Sequence, residues 1–131
     1  MQTMEQKRAK YALEQVQGDN GRQDIQDKYH KYYKSYASSF PAMIQINGLG
    51  QAAAFYRSKG AGVDTKAKAY RALYELLSVW LLKPGQPYHG CEDLLDGIIT
   101  KNIHAYQLAQ AEALALLNWV KKFATAFMEG E

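Results

Sequence analysis

The chain is short of cysteine. Cys91 is its only one in 131 residues, so no disulfide can form within it and the fold must rest on its core, which suits a reducing compartment. Uninterrupted apolar runs are missing too. No stretch approaches the roughly 18 residues of a membrane span, and the N-terminal "MQTMEQKRAKYALEQV" lacks the apolar run of a signal peptide. These absences lead to the expectation of a soluble, cytoplasmic protein. β-Branched residues are scarce, and no segment alternates with period two over a strand's length, which argues against a sheet. Acidic residues thin out in the middle of the chain. Residues 28–71 carry eight Lys/Arg against Asp64 alone.

What remains is helical in pattern. Apolar residues make up 47% and charged residues 22%, enough for a folded domain, and residues 1–131 read as one helical domain. Ala9, Ala12, Leu13 and Val16 form a helical stripe that Gly18 should end, with "GDNG" as a turn. A second helix of about 22–38 places Ile25, Tyr29, Tyr32, Tyr33 and Tyr36 on one face. Ser39 and Pro41 suit the start of a short third helix over 41–47. A fourth runs from about Gly50 to Gly60. Asp64 or Thr65 caps a fifth over 65–82, with Tyr70, Leu73, Leu77, Trp80 and Leu81 facing the core. Glu92 and Asp93 open a sixth that carries Leu94, Leu95, Ile98 and Ile99. Asn102 caps a long seventh reaching about Phe127. The expected fold is all-α: a single compact bundle of six to seven helices with a long C-terminal helix.

The stretch "QINGLGQAAAFYRSKG", residues 45–60, tests for nucleotide chemistry. A phosphate-cradling loop needs a preceding strand and a following Lys-Ser/Thr pair. Neither is here, so Gly48 and Gly50 read as the corner of a helical hairpin, with Gln45, Asn47 and Gln51 clustered beside it. Metal chemistry is equally thin. His89, Cys91, Glu92 and Asp93 lack paired ligands at set spacing, and nothing near Cys91 would make it a thiolate. Asp93 and Asp96 share a helix face, but helix-start electrostatics account for Asp93. Arg22 and His30 miss the four-to-six-residue spacing of small helical ribonucleases of the HEPN type. The reading is no catalytic set, no metal and no cofactor.

Charge is unevenly spread on a chain of net charge +3. Residues 1–72 hold 12 Lys/Arg and 6 Asp/Glu, and residues 73–131 hold 4 and 7. Such a basic half fits either a polyanion-facing surface or an uneven solvated one. Asp24–Lys28 and Asp27–Lys31 are compensated helical pairs. Lys34, Arg57, Lys59, Lys66 and Lys68 have no acid at helical spacing, and Arg71 precedes Glu75 in the weaker order. These six are the candidate phosphate contacts. Tyr29, Tyr32, Tyr33 and Tyr36 could stack on bases, but they sit on their helix's apolar face, which favours packing.

The last helix is apolar on nearly all sides. Its main stripe is Tyr106, Ala109, Ala113, Leu116, Leu117, Val120, Ala124 and Phe127. A second holds Leu108, Ala115 and Trp119, and between Gln107 and Val120 the only charge is Glu112. It is either a core helix wrapped by the others or one whose second stripe docks another subunit, with Trp119 as anchor.

The segments "EQKRAKYALEQV", "INGLGQAAAFYRSKG", "YELLSVWLL" and "AQAEALALLNWVKKFA" resemble the small helical subunit of the Cmr complex, the type III-B CRISPR effector that silences invading RNA. The resemblance spans most of the chain, and the second and fourth segments are its specific parts. It implies an all-α subunit without catalytic activity of its own. Copies would stack along the effector beside the guide RNA–target RNA duplex, with the other Cmr subunits as partners and cleavage left to them. A protein-binding adaptor or a small helical ribonuclease are the alternatives. The related type III-A small subunit is not separated from it by residues alone.

Overall fold

The computed structural model describes residues 2–20 and 27–128, with no side-chain account of 19, 20 and 27. Six helices are described: α1 Met4–Asn20, α2 Asp27–Asn47, α3 Leu49–Lys59, α4 Thr65–Leu81, α5 Leu94–Thr100 and α6 Ile103–Phe127. No strand occurs among the described residues. Arg22, Asp24 and Ile25 lie outside the described residues, as do the Asp27 side chain and Gly21 of the "GDNG" stretch.

Local chemistry accounts for most helix starts. Thr3 and Gln6 form a reciprocal capping box at α1: the Gln6 N–H donates to Thr3 Oγ1 at 3.1 Å and the Thr3 N–H to Gln6 Oε1 at 2.8 Å. Asp64 and Asn102 cap α4 and α6, accepting from the Ala67 and Ala105 N–H groups at 2.8 and 2.9 Å. At α5, Asp93 accepts from the Asp96 N–H at 2.9 Å, and Asp96 accepts from the Glu92 N–H at 3.0 Å. Asp64, Asp93 and Asn102 each satisfy one of the N–H groups that a helix start leaves without an internal partner, and Asp96 reaches back to the residue before the α5 cap.

Two expected boundaries move. Helix α1 continues through Gly18 to Asn20, because a single exposed glycine weakens a helix by about 1 kcal/mol without ending it. The expected second and third helices are one, since α2 runs through Pro41 to Asn47. Proline removes one hydrogen bond there, but Ala37, Phe40 and Ile44 on either side of it are fully buried. Their burial holds the helix together across the defect. Ser39, expected as a cap, instead donates its hydroxyl back to the Ser35 carbonyl at 3.1 Å.

The corner between α2 and α3 is the expected glycine hairpin. Gly48 has φ +88, a conformation that disfavours any Cβ. The first N–H groups of α3 are satisfied from across the bundle: Leu49 donates to Gln110 Oε1 and Gly50 to the Tyr106 hydroxyl, both at 2.9 Å. Gln45, Asn47 and Gln51 stay exposed.

Helix α6 is the central element, touching α1, α2, α3 and α4. Ala109, Ala113, Leu116, Leu117, Val120 and Ala124 along it are fully buried. Phe127, expected in the same stripe, is 45% exposed, and Met128 is buried in its stead. The chain leaves helical geometry at Met128, so its side chain turns inward. Ile99 lies on α5, as expected. It is 81% exposed, because α5 is short and sets Leu94 inward.

Along α1 and α6, Glu5 meets Trp119 and Arg8 meets Glu112, so the two helices are antiparallel. Along α2 and α4, Tyr32 meets Lys66 and Tyr36 meets Tyr70, so those two are parallel. Helix α3 returns between them and packs on both.

Candidate nucleic-acid interface

The parallel run of α2 and α4 builds an aromatic column. Tyr32 and Tyr36 lie one turn apart on α2, and Lys66 and Tyr70 one turn apart on α4. The Tyr36 ring stacks on Tyr70 with centroids 3.9 Å apart and planes 9° apart. Tyr32 continues the column at 6.0 Å and 8°. Tyr70 is edge-on to Phe55 and Tyr56 of α3, at 6.0 and 5.1 Å. Behind these, Tyr56 stacks on Phe40 at 3.8 Å and donates its hydroxyl to the Tyr36 carbonyl at 2.6 Å.

Burial grades outward along this array. Tyr29, Tyr33, Phe40 and Tyr56 are core residues, so the apolar-face reading of the α2 tyrosines holds for the inner ones. Tyr32, Tyr36 and Tyr70 are half-buried, and Phe55 is 38% exposed. Burial, then the neighbouring Tyr70, pushes the Tyr36 phenol up to about 12, so that hydroxyl stays neutral through the physiological range.

Two lysines cover the outer rings. Lys59 Nζ stands 5.5 Å from the Phe55 centroid and Lys66 Nζ 5.4 Å from that of Tyr32. Neither forms an ion pair among the described residues. The nearby carboxylate of Asp64 is engaged as the α4 cap. Exposed cation–π contacts of this kind contribute only about 0.5–1 kcal/mol, so both ammonium groups remain available to an anion. The sequence carried a signal for this array that charge counting passed over. Tyr32–Tyr36, Phe55–Lys59 and Lys66–Tyr70 are all i, i+4 pairs.

The six candidate phosphate contacts do not form one patch. Arg57 and Arg71 instead line a cleft of about 530 Å³ with Tyr74, Glu75 and Asp93. Arg71 is held there: its Nη1 donates to the Gly60 and Gly62 carbonyls at 2.7 and 3.0 Å. Gly60 permits this corner, since a Cβ on it would lie 2.9 Å from Arg71 backbone atoms. Tyr74 donates to Asp93 Oδ2 at 3.3 Å. Burial first, and the Asp93 charge second, raise its phenol to about 12. Two carboxylates in the cleft offset its two arginines. Lys68 lies one turn before Arg71 on that side of α4 and is exposed. Lys34 is two residues from both Tyr32 and Tyr36, about 200° around α2 from the aromatic column.

Where α1 meets α6 one charge cluster is closed, although Lys122 and Lys83 stand over the Trp119 and Tyr11 rings there, 6.0 and 5.3 Å from the centroids. Arg8 grips Glu112 with two hydrogen bonds, Nε to Oε2 at 2.6 Å and Nη2 to Oε1 at 2.9 Å, and the Trp80 indole N–H donates to Oε2 at 2.9 Å. Burial alone would raise the Glu112 carboxyl. The bonds from Arg8 and Trp80, with the Arg8 charge, outweigh it and hold the group below the usual carboxylate range. Glu112 lies in the stripe of Leu108, Ala115 and Trp119, so α1 covers part of that stripe within the chain. Trp119 is half-buried and donates its indole N–H to Glu5. Ala115 is half-buried, and Leu108 is 49% exposed.

His89 is exposed and Cys91 half-buried. Among the described residues no three His, Cys, Asp or Glu side chains gather as a metal site, and no helix is long and apolar enough to cross a membrane. A protein-family model described as CRISPR-associated protein (Cas_Cmr5) covers residues 4–127, nearly the whole chain.

Proposed function

The chain belongs to the Cas_Cmr5 family and is a small Cmr-type, type III-B CRISPR-associated subunit, and from that premise we propose that it grips RNA backbone without cutting it. In this reading it works in the cytoplasm, in antiviral defence. Several copies stack beside the guide RNA–target RNA duplex, and each holds the target strand through phosphate contacts. Sequence choice then belongs to guide–target base pairing, and cleavage to other Cmr subunits.

The observation that carries this reading is the pair of exposed lysines, Lys59 and Lys66, on the α2–α3–α4 face with no ion-pair partner among the described residues. They are the centre of the proposed contact. Arg57 and Lys68 flank it. Lys34 and Arg71 are demoted, Arg71 because its guanidinium already holds the Gly60–Gly62 corner. Leu108, with the open edges of Ala115 and Trp119, is the proposed contact between copies.

Charge reversal tests it. Lys59→Glu, Lys66→Glu, Arg57→Glu and Lys68→Glu, combined in a reconstituted effector, should weaken target retention by at least tenfold at physiological salt. The isolated variant should keep its helical circular dichroism. The salt dependence of retention should flatten, because each lost phosphate contact removes counterion release. Unchanged retention by the assembled variant would remove these residues from the contact.

A further inference from the structure

Backbone gripping needs lysines but no rings, and the α2–α3–α4 face has both. Phe55 is 38% exposed on α3, where a ring without a polar group gains little from water contact. On the same face Tyr32 ends a column of three near-parallel rings whose far member, Tyr70, is edge-on to Phe55. Phe55 and Tyr32 each have a lysine ammonium over the ring, and neither lysine is paired with a carboxylate among the described residues.

We propose that Tyr32 and Phe55 are stacking positions for unpaired RNA bases, with Lys59 and Lys66 moving from the rings to the flanking phosphates. The proposal rests on the RNA reading above and extends it from backbone to base faces. A base laid on Tyr32 extends the Tyr36–Tyr70 column with one more parallel ring. A base on Phe55 replaces a small ammonium contact by a larger π contact. In both places the displaced ammonium gains a phosphate oxygen, an opposite charge it lacks in the free protein, so ring and lysine each improve their partner. Every base has a π face, so this contact tolerates any sequence. It does require the base face to be open. A strand with splayed or unpaired bases therefore fits, whereas a duplex hides those faces in its own stack.

The test uses the full chain and two strands of equal length and charge, ten uridines and a ten-unit abasic ribose-phosphate strand. Nuclear magnetic resonance titration at millimolar protein registers weak binding. The uridine strand should bind about tenfold more tightly than the abasic one and shift the Tyr32 and Phe55 ring protons upfield. Tyr32→Leu with Phe55→Leu should bring the uridine strand down to the abasic level. Lys59→Gln with Lys66→Gln should weaken both strands alike and lower the salt slope by about one. If the double ring variant does not fold, Phe55→Leu alone at its exposed site, with the two-strand comparison on the unaltered protein, decides. Equal affinity for the two strands overturns base stacking and leaves the backbone reading standing. Absence of binding to either strand overturns both.

Discussion

The Arg8–Glu112 cluster between α1 and α6 and the lysine-covered rings of the α2–α3–α4 face use the same kinds of residue in opposite ways. On the first, Trp80 and Trp119 donate to carboxylates, and Arg8 closes a two-bond fork on Glu112. Every strong charge in that cluster has a partner from another helix. On the second, Lys59 and Lys66 have only the faces of Phe55 and Tyr32. A finished network locks two helices together. An unfinished one leaves charge for something outside the chain. The family places this chain in an effector complex, and the contrast suggests which side works as structure and which as surface.

The contrast breaks most severely at Glu112. Glu112→Ala leaves the half-buried Arg8 with only Glu5 Oε2 at 3.5 Å and the Trp80 N–H without an acceptor, and removing one partner of a buried pair costs about 3 kcal/mol. Denaturant midpoints compared at constant m-value would show it. Next in size is Gly60→Ala, whose methyl would meet Arg71 backbone atoms at 2.9 Å. Overpacking of that kind costs about 2 kcal/mol. It should also release Arg71 from the Gly60 and Gly62 carbonyls, seen as changed amide exchange at the α3–α4 corner.

Titration probes Glu112 and Tyr36 at opposite ends of the pH scale. The Glu112 pKa is lowered in the fold, so its stabilisation is complete above the ordinary carboxylate range and is lost as pH falls through the lowered value. Glu112→Gln should flatten that acid limb in a series of thermal melts. The Tyr36 phenol is raised to about 12, so the folded state holds its proton more tightly than the unfolded state. That stability is complete below about pH 10 and lost between about 10 and 12. Tyr36→Phe should reduce the alkaline slope and leave the acid limb unchanged.

The smallest stability effect sharpens the comparison instead of breaking it. Lys59→Gln and Lys66→Gln each remove one exposed cation–π contact, and should change stability by less than about 1 kcal/mol. Similar stability with weakened RNA retention would mark these lysines as surface. A loss as large as that of Glu112→Ala would make the two sides alike.

Much of the fold was legible because it is written in local patterns. Asp64 and Asn102 cap the helices they were expected to cap, and the Gly48 corner has the positive φ that asparagine and glycine there suggested. Pro41 was misleading because its local preference for a helix start is opposed by Phe40 and Ile44, whose burial no neighbour in sequence reveals. The first N–H groups of α3 find acceptors in Tyr106 and Gln110, more than fifty residues away, and no nearby cap signals them. The candidate site was half legible. The basic residues without an acid at helical spacing show in the sequence, but the division that puts Arg57 and Arg71 in a carboxylate-lined cleft and Lys59 and Lys66 over an aromatic array does not.

By itself, the sequence determined the helical class, most helix starts and the excess of basic over acidic residues in its first half, because 3.6-residue periodicity and capping act over a single turn or two and net charge needs no fold. Only the tertiary structure decided which charges are used up and which stay open. Arg71 is held by a glycine corner, Arg8 by Glu112 of α6, and Lys59 and Lys66 by aromatic rings alone. Those outcomes depend on which helices lie side by side, and packing of the whole core sets that.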